Sequence, residues 1–314
     1  MTDELRDLYA SFTRRLQAEP EMGIDGMRDL FEQWHLGASE PEGVTYREAV
    51  GAPVPATWCV PPISDRASAI VYTHGGGFVV GSRHSHRKLA GHLAMRSGTP
   101  VLLIDYRRAP EHPYPAQVDD ASAAADWIVR TEGLTIAQIA FAGDSAGGNI
   151  AVSTALRVTA SGGSPAAVVC LSPWFDLENT GDSLDENEPN DAMVDRPTLE
   201  IMAGLVLNGL SPQTPGANPL RADLSLLPPT FVTASEHETL RDDAVRFAAR
   251  ALAARRECVL DLEPHSQHVF QMAAGRADRA DRSLERIGLW LRGQFAGNRN
   301  DQAVEGDAVN AAIS

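Results

Sequence analysis

The stretch Ile139-Ala-Phe-Ala-Gly-Asp-Ser-Ala-Gly147 carries the most structural information in this chain. It opens with an apolar run typical of a buried strand, and a helix-like stretch from Asn149 to about Leu156 follows it. Between them lies the pattern Gly-x-Ser-x-Gly, with Ser145 at its centre. Small residues at such a turn permit the sharp backbone bend that exposes a serine hydroxyl at the carboxyl edge of a sheet. An ordinary glycine-rich turn is the alternative interpretation, so the fold has to be argued from further segments.

Similar apolar runs recur along the chain. Two short strands bounded by Gly and Pro, at 44–48 and 53–60, are predicted to form an antiparallel pair at a sheet edge. The later runs are continuous and mostly separated by helical patterns, which is typical of a parallel sheet covered on both faces. These runs are Ala69–Tyr72, Val101–Ile104, Ile139–Ala142, Ala167–Cys170, Phe231–Thr233 and Val259–Leu262. We therefore predict an α/β fold with a mostly parallel, eight-stranded sheet and helices on both faces.

Segments outside this alternation indicate the domain organisation. Residues 1–43 contain two amphipathic helices, each with one apolar face, and residues 44–296 form the main domain. Within that domain, residues 176–219 interrupt the alternation with an acidic, turn-rich stretch and a helix from Pro197 to about Leu207. One face of this helix is apolar, so it could cover an apolar opening. Residues 297–314 have too little apolar surface to offset their ordering entropy and are predicted to form a mobile tail.

Composition and charge exclude several classes of protein. Forty-two acidic residues against 27 basic ones give a net charge of −15, and no Lys/Arg run interrupts the acidic balance. Such a chain repels phosphate backbones and anionic lipid surfaces, so we predict no nucleic-acid and no membrane partner. Cys59, Cys170 and Cys258 show neither metal-ligand spacing nor a disulfide framework, which favours a reducing compartment. Because no secretion signal and no 18-residue apolar run is present, we predict a cytoplasmic protein.

A second glycine-rich motif, His74-Gly-Gly-Gly-Phe78, follows the predicted strand Ala69–Tyr72. Three successive glycines leave backbone N–H groups open to a ligand. The N–H groups of Gly76, Gly77 and Ala146 could stabilise the negative charge that develops on oxygen when an ester carbonyl is attacked. A phosphate-binding loop is the alternative, but the chain is acidic and the glycine spacings of P-loop and dinucleotide sites are absent.

A serine nucleophile needs a base, and the base needs an acid that fixes its tautomer. His268 follows the last predicted strand and is the candidate base, with His265 as its nearest rival. Glu238 follows the preceding strand and is the candidate acid, and Glu236 takes that place if the loop is shifted. The chain order Ser145, Glu238, His268 is one of the known orders of such triads. Asp144, beside the serine, is predicted to brace the turn through hydrogen bonds.

Four motifs together resemble the hormone-sensitive lipase-like branch of the α/β hydrolases, the bacterial family IV carboxylesterases. The resemblance spans roughly residues 69–270. It implies an α/β-hydrolase fold whose helical cap is formed by the N-terminal helices and the insertion 176–219. The motifs are HGGGF (74–78), YRRAPEHPYPA (106–116), GDSAGGN (143–149) and HVF (268–270).

The same resemblance implies the roles of individual residues. Ser145 is the nucleophile, His268 is the base, and Gly76, Gly77 and Ala146 form the oxyanion hole. Many relatives carry Asp at the place of Glu238, although some use Glu. Glu238 is therefore expected to act as the acid. The motif at 106–116 is a structural signature, and its prolines are expected to make a rigid loop.

The predicted function is that of a serine carboxylesterase that cleaves short- to medium-chain esters through an acyl-enzyme and needs neither a metal nor an organic cofactor. Acyl groups of up to about eight carbons are implied by the resemblance and by the usual size of small-ligand sites. A lactone or an amide or carbamate could replace the ester, and a non-catalytic small-ligand-binding protein is the alternative from another class. The partner is a small-molecule ester, and the resemblance also suggests a homodimer. The predicted pocket residues are Phe78, Trp174, Met202, Leu205 and Val206.

Overall fold

A computed structural model describes the backbone of residues 4–313 and the side chains of residues 4–298. Eight strands form one sheet, in which the two N-terminal strands are antiparallel and the other six run parallel to one another. The predicted sheet and its antiparallel edge are thus confirmed. The strands are β1 (Thr45–Glu48), β2 (Ala56–Val60), β3 (Ala69–Thr73), β4 (Val101–Ile104), β5 (Ile139–Asp144), β6 (Ala167–Leu171), β7 (Thr230–Ser235) and β8 (Cys258–Glu263).

The strand order across the sheet is β1-β2-β4-β3-β5-β6-β7-β8. Every residue of β3 to β7 is buried, as their continuous apolar runs predict, so both faces of the central sheet are covered. At the two margins, β1 is largely exposed and β8 is half-buried. Because β3 to β8 are parallel, their carboxyl ends meet along one edge, where ligands of open α/β sheets bind.

Helices pack around this sheet in groups. One group pairs α3 with α9, and another pairs α4 with α5. Residues Leu284, Ile287 and Leu291 of the last helix are fully buried. The helices are α1 (Glu4–Ala18), α2 (Ile24–Phe31), α3 (Arg87–Ser97), α4 (Ala116–Glu132), α5 (Ala146–Ala160), α6 (Ser183–Glu186), α7 (Arg196–Leu207), α8 (Arg241–Ala253) and α9 (Asp278–Ile313).

The last helix extends beyond the boundary that the sequence predicts at residue 296, because α9 runs to Ile313. The predicted mobile tail, 297–314, falls almost entirely on residues whose side chains lie outside the described part, and it stays a prediction. Of the three cysteines, Cys59 and Cys170 are buried, Cys258 is half-buried, and all three are free thiols. Within the described residues, no helix is both long and apolar enough to cross a bilayer.

The N-terminal segment forms the two amphipathic helices that its apolar spacing predicts. Tyr9 and Phe12 of α1 are buried, and Phe12 meets Phe31 of α2 with ring centroids 5.4 Å apart. Arg28 of α2 donates to the backbone oxygen of Val79 at 3.0 Å, just beyond the glycine loop. These contacts hold the segment against the carboxyl edge of the sheet.

The insertion between β6 and β7 contains α6 and α7. Helix α7 begins after Asp195, whose carboxylate caps it by accepting from the N–H of Thr198 at 2.8 Å. It ends at Asn208, which adopts a left-handed conformation. The predicted helix from Pro197 to about Leu207 is therefore present within one residue of its expected bounds.

Candidate active site

Ser145 lies at the predicted turn between β5 and α5. Its backbone has φ 51° and ψ −122°, a positive-φ conformation that costs energy for a residue with a side chain. Its N–H donates to the oxygen of Leu171 at 2.9 Å, and its own oxygen accepts from Trp174 at 3.0 Å. A Cβ at Gly147 would collide with the backbone oxygen of Thr73 on β3. The small residues of the motif thus let the helix approach the sheet and present the serine at its edge.

Glu238 and His268 come together beside this turn. Glu238 lies in the loop after β7 with no exposed surface, and His268 follows β8 with 2% exposure. His268 Nδ1 lies 3.4 Å from Glu238 Oε1. The two rivals lie apart from this pair, because Glu236 is exposed and His265 stacks on His237 at the surface with ring centroids 4.4 Å apart.

The second carboxylate oxygen of Glu238 is also hydrogen-bonded. Oε2 accepts from the hydroxyl of Ser172 at 2.7 Å and from the N–H of Ser235 at 3.0 Å. Ser172 Oγ in turn accepts from the N–H of Val269, the residue after His268, at 2.9 Å. Sequence reasoning missed Ser172, although its place directly after β6 put it on the same sheet edge. Ser172 thus links Glu238 to the loop that carries His268.

The environment of His268 favours its charged form. Burial lowers its pKa, but the hydrogen bond and the negative charge of Glu238 outweigh burial, so the pKa of His268 is raised above 6.5. The charges of Asp191 and Asp144 act in the same direction. No hydrogen bond joins Ser145 Oγ to His268 among the described side chains, although both residues line one cavity. Such contacts are often long in the absence of substrate.

The glycine loop presents unpaired backbone donors to this cavity. Gly76 and Gly77 have φ values of 115° and 58°, and both line the cavity. Within the described residues, the N–H groups of Gly76, Gly77 and Ala146 donate to no acceptor. Ala146 is the first residue of α5, where helix geometry leaves N–H groups free. A Cβ at Gly77 would collide with Met202 Sδ, so α7 covers the loop directly.

The cavity holds about 60 Å³ of accessible space and is predominantly apolar. Its walls come from three parts of the chain: the N-terminal segment, the insertion, and the loops at the carboxyl edge of the sheet. The lining residues include Tyr9, Phe31 and Trp34 from the first part, Met193, Val194, Thr198, Leu199 and Met202 from the second, and Val80, His86, Asp144, Ser145, Trp174, His268, Val269 and Met272 from the third.

Two of the five predicted pocket residues, Trp174 and Met202, line the cavity, and three do not. The ring of Phe78 packs against Trp174 with centroids 5.7 Å apart and is not among the lining residues. Leu205 and Val206 lie nearly a turn beyond Met202 towards the end of α7. At this end of the helix, the backbone oxygen of Val206 accepts a hydrogen bond from the N–H of Tyr114, in the proline-rich loop, at 2.8 Å. The prediction is corrected for Phe78, Leu205 and Val206.

Hydrogen bonds join the insertion to the loops that carry Glu238 and His268, which the sequence did not indicate. We call residues 187–194 the connecting segment. Asn187 donates to the backbone oxygen of Glu238 at 2.9 Å. Asp191 accepts from the backbone N–H of Thr239 at 3.0 Å. Gln267 bonds two backbone groups of the connecting segment at 2.9 and 3.0 Å. The insertion, the Glu238 loop and the His268 loop are therefore hydrogen-bonded to one another.

Asp144 braces the turn, as predicted, by accepting hydrogen bonds from Tyr72 and His86. His86 also lines the cavity, although no sequence motif pointed to it. Across the described residues, no group of three or more His, Cys, Asp and Glu side chains is arranged to hold a metal ion.

A family model of the alpha/beta hydrolase fold matches residues 70–272. The chain belongs to this family. An esterase from the bacterial hormone-sensitive lipase family is a similar solved structure, with a TM-score of 0.87 and 36% identity; the match covers 94% of this chain and 99% of that one. Both findings agree with the resemblance carried by the motifs, and they place this α/β hydrolase in the hormone-sensitive lipase branch.

Curated relatives of this α/β hydrolase include two bacterial enzymes. An acetyl-hydrolase of Streptomyces hygroscopicus is 34% identical over 295 residues, which cover 88% of this chain and 97% of that protein. The carboxylesterase NlhH of Mycobacterium tuberculosis is 36% identical over 243 residues, which cover 74% of this chain and 75% of that protein.

Proposed function

We propose that this ester-hydrolysing enzyme is a serine carboxylesterase that cleaves short- to medium-chain esters through an acyl-enzyme. One observation carries the proposal: a serine held in a strained turn shares a cavity with His268, which pairs with the buried Glu238, and with the glycine loop, whose N–H groups are free. These are the parts that acyl transfer requires, namely a nucleophile, an oriented base and donors for the oxyanion.

In the proposed cycle, Ser145 Oγ attacks the carbonyl carbon while His268 Nε2 takes the hydroxyl proton. The N–H groups of the glycine loop and of Ala146 donate to the oxyanion of the tetrahedral intermediate. His268 then gives its proton to the leaving alcohol, and the acyl group stays on Ser145. Water repeats both steps and releases the acid. Throughout, Glu238 holds the proton on Nδ1 and stabilises the imidazolium.

The cavity supports the proposed preference for short acyl groups. About 60 Å³ of accessible space leaves little room beyond the serine, and apolar side chains surround it. Because each buried methylene contributes about 0.8 kcal/mol, rates are expected to change gradually with chain length. We propose that residues 1–43 and 176–219 act as the cap on the main domain 44–296, since side chains of both segments close the cavity.

The test compares Ser145→Ala with Ser225→Ala, which changes an exposed serine in a loop. Turnover of p-nitrophenyl acetate and butyrate is measured, together with covalent labelling by a fluorophosphonate, which only an activated serine undergoes. We expect Ser145→Ala to fold normally but to lose labelling and nearly all turnover, and Ser225→Ala to match the unchanged protein. Substantial turnover in Ser145→Ala would refute the assignment.

Two alternatives have measurable signatures. Absence of labelling in the unchanged protein would favour the non-catalytic binding protein. Lactone and amide or carbamate hydrolysis use the same groups, so a substrate panel scored by kcat/KM separates them from ester hydrolysis. The cytoplasmic location and the homodimer stay predictions.

A further inference from the structure

The glycine loop has a strained backbone at three consecutive residues. Gly76, Gly77 and Phe78 have φ values of 115°, 58° and 66°. Glycine adopts such values readily, but a positive φ costs energy for Phe78, which carries a side chain. A strained conformation of this kind persists only where surrounding contacts hold it. The direction of the free N–H groups in this loop therefore depends on the contacts that hold its backbone.

Hydrogen bonds from inside and outside the loop hold this backbone. Inside, the N–H of Val79 donates to the oxygen of Gly76 at 3.0 Å. From outside, the N–H of Ala109 donates to the oxygen of Phe78 at 2.9 Å. The next oxygen along the chain, that of Val79, accepts from Arg28 Nε at 3.0 Å. Arg28 is thus a side chain of the N-terminal segment that binds directly to the backbone of the strained region.

The guanidinium group of Arg28 reaches two loops at once. Besides its bond to Val79, its Nη2 donates to the backbone oxygen of Ala109 at 3.1 Å. The same group forms a bidentate pair with the carboxylate of Glu111 at 2.8 and 2.7 Å. A guanidinium presents its donors in a rigid planar fork. These contacts therefore fix the oxygen of Val79 relative to the loop that carries Ala109 and Glu111.

The backbone contacts of Arg28 lie in a different environment from its ion pair. Val79 and Ala109 are buried, and among the described residues no other donor reaches either backbone oxygen. A buried carbonyl that loses its donor is costly. The side chain of Glu111 is 52% exposed, and an exposed ion pair contributes little to stability. The two kinds of contact can therefore be tested separately.

We propose that Arg28 is a positioning residue for acyl transfer: by binding the oxygens of Val79 and Ala109, it holds the glycine loop in the conformation that directs its N–H groups at the oxyanion. This inference rests on the proposed function. It gives the N-terminal segment a part in stabilising the transition state, in addition to covering the cavity. Because the oxyanion forms only after attack, and forms in both half-reactions, loss of these contacts should lower kcat and leave KM nearly unchanged.

Two variants separate the backbone contacts from the ion pair. Arg28→Lys keeps a cation opposite Glu111, but its single ammonium group lacks the fork that reaches the carboxylate and both backbone oxygens. Glu111→Gln removes the negative charge and leaves Arg28 its two backbone acceptors. Arg15→Lys is the matched control, because Arg15 forms an ion pair with Glu19 in which both side chains are exposed.

The variants are assayed with p-nitrophenyl butyrate. Loss of a whole oxyanion donor lowers kcat by about 10²–10³-fold, so displacement of the loop in Arg28→Lys should lower kcat by about tenfold or more. In Glu111→Gln and Arg15→Lys, kcat should stay within about twofold of the unchanged protein. An unchanged kcat in Arg28→Lys, an equal loss in Glu111→Gln, or a loss that appears in KM alone would overturn the proposal.

Two further measurements report on the loop itself. Butylboronic acid becomes a tetrahedral anion on the serine, so its affinity should fall in Arg28→Lys in parallel with kcat, and an unchanged affinity would contradict the proposal. The amides of Val79 and Val80 both donate to the oxygen of Gly76. Their hydrogen exchange should be slow in the unchanged protein and in Glu111→Gln and faster in Arg28→Lys. Rapid exchange in the unchanged protein would also overturn the proposal, whether or not the variants fold.

The exchange experiment keeps this proposal distinguishable from the proposed function. If the unchanged protein neither hydrolyses esters nor reacts with a fluorophosphonate, the proposed function fails. Hydrogen exchange would then still show whether Arg28 holds the glycine loop. If the unchanged protein is an active esterase and Arg28→Lys keeps its kcat, the proposed function stands and the role of Arg28 fails.

Discussion

Replacing Glu238 by Gln tests the proposed acid through the tautomer of His268. Oε2 of Glu238 accepts from both Ser172 and the N–H of Ser235. A glutamine at this position must therefore place its carbonyl oxygen at the Oε2 site, since its NH₂ group would face the Ser235 donor. The NH₂ group then occupies the Oε1 site, 3.4 Å from His268 Nδ1, where it donates to the ring.

A ring that accepts at Nδ1 holds its proton on Nε2 and cannot take one from Ser145. Glu238→Gln should accordingly lower kcat by about 10⁴-fold, the loss seen when a triad base is held in the wrong tautomer. The pH dependence should change as well. With the carboxylate present, the pKa of His268 is raised above 6.5, and the rate climbs with pH as the ring deprotonates through that pKa. Without the carboxylate, burial lowers this pKa, so the ascending limb of residual activity should move to lower pH.

The assay measures kcat/KM for p-nitrophenyl butyrate between about pH 5 and 9. This range extends to both sides of the ordinary histidine pKa of about 6.5. Glu236→Gln is the matched control, since Glu236 is exposed and two residues away. The control variant should keep the kcat of the unchanged protein, and its activity should rise over the same pH range. If Glu238→Gln kept more than about a tenth of kcat, or if Glu236→Gln lost more, the acid would be misassigned.

Three further changes follow from the described contacts. Ser172→Ala removes a hydroxyl that both donates to the buried acid and accepts from a backbone N–H, so urea unfolding should show a loss of about 2–4 kcal/mol; a loss below about 0.5 kcal/mol would contradict this role. Burial raises the pKa of Asp243 to about 7, so its stabilising contribution is present below about pH 4 and is lost as pH rises through 7. Asp243→Asn should therefore gain stability over the unchanged protein between pH 5 and 8, by on the order of 3 kcal/mol, and thermal unfolding that shows no such trend would argue against it. Met202→Ala should raise kcat/KM for hexanoyl over acetyl esters by about tenfold because it opens the cavity wall, whereas Leu205→Ala, which lies off that wall, should leave the ratio unchanged; equal effects would rule out Met202 as the boundary.

The order of strands and helices was predictable because each element carries its own local pattern. Continuous apolar runs identify the buried strands, and the shorter runs bounded by Gly and Pro identify the antiparallel edge. The end of α9 was not predictable in this way. Its last residues mix polar side chains with small apolar ones and include only a few larger apolar side chains, a composition that indicates a tail rather than a packed helix.

The position of the candidate site was predictable where it depends on residues that are neighbours in the chain. Ser145 and the glycine loop each lie within a short motif, and strand order brings them to one edge. The acid was different, because Glu236 and Glu238 have the same residue type and nearly the same position. Only the path of the loop exposes the first and buries the second against His268.

Supporting residues lay beyond sequence reasoning for the same physical reason. Ser172, His86 and Gln267 act through side-chain contacts between loops that are far apart in the chain. The direction of a side chain in such a loop depends on every residue it packs against. The pocket prediction failed at Leu205 and Val206 because a helical spacing identifies the apolar face but not how far along the helix the substrate extends.

The connecting segment joins the wall of the cavity to the loop that carries Glu238. Met193 and Val194 of this segment wall the cavity, while Asn187 and Asp191 hold the loop of the acid. If the segment shifted far enough to break these hydrogen bonds, the backbone at residues 238 and 239 would lose its partners, while the Glu238 carboxylate would keep its bonds to Ser172 and Ser235. Any change in the wall at Met193 and Val194 is therefore expected to be felt first in the backbone of the Glu238 loop rather than at its carboxylate.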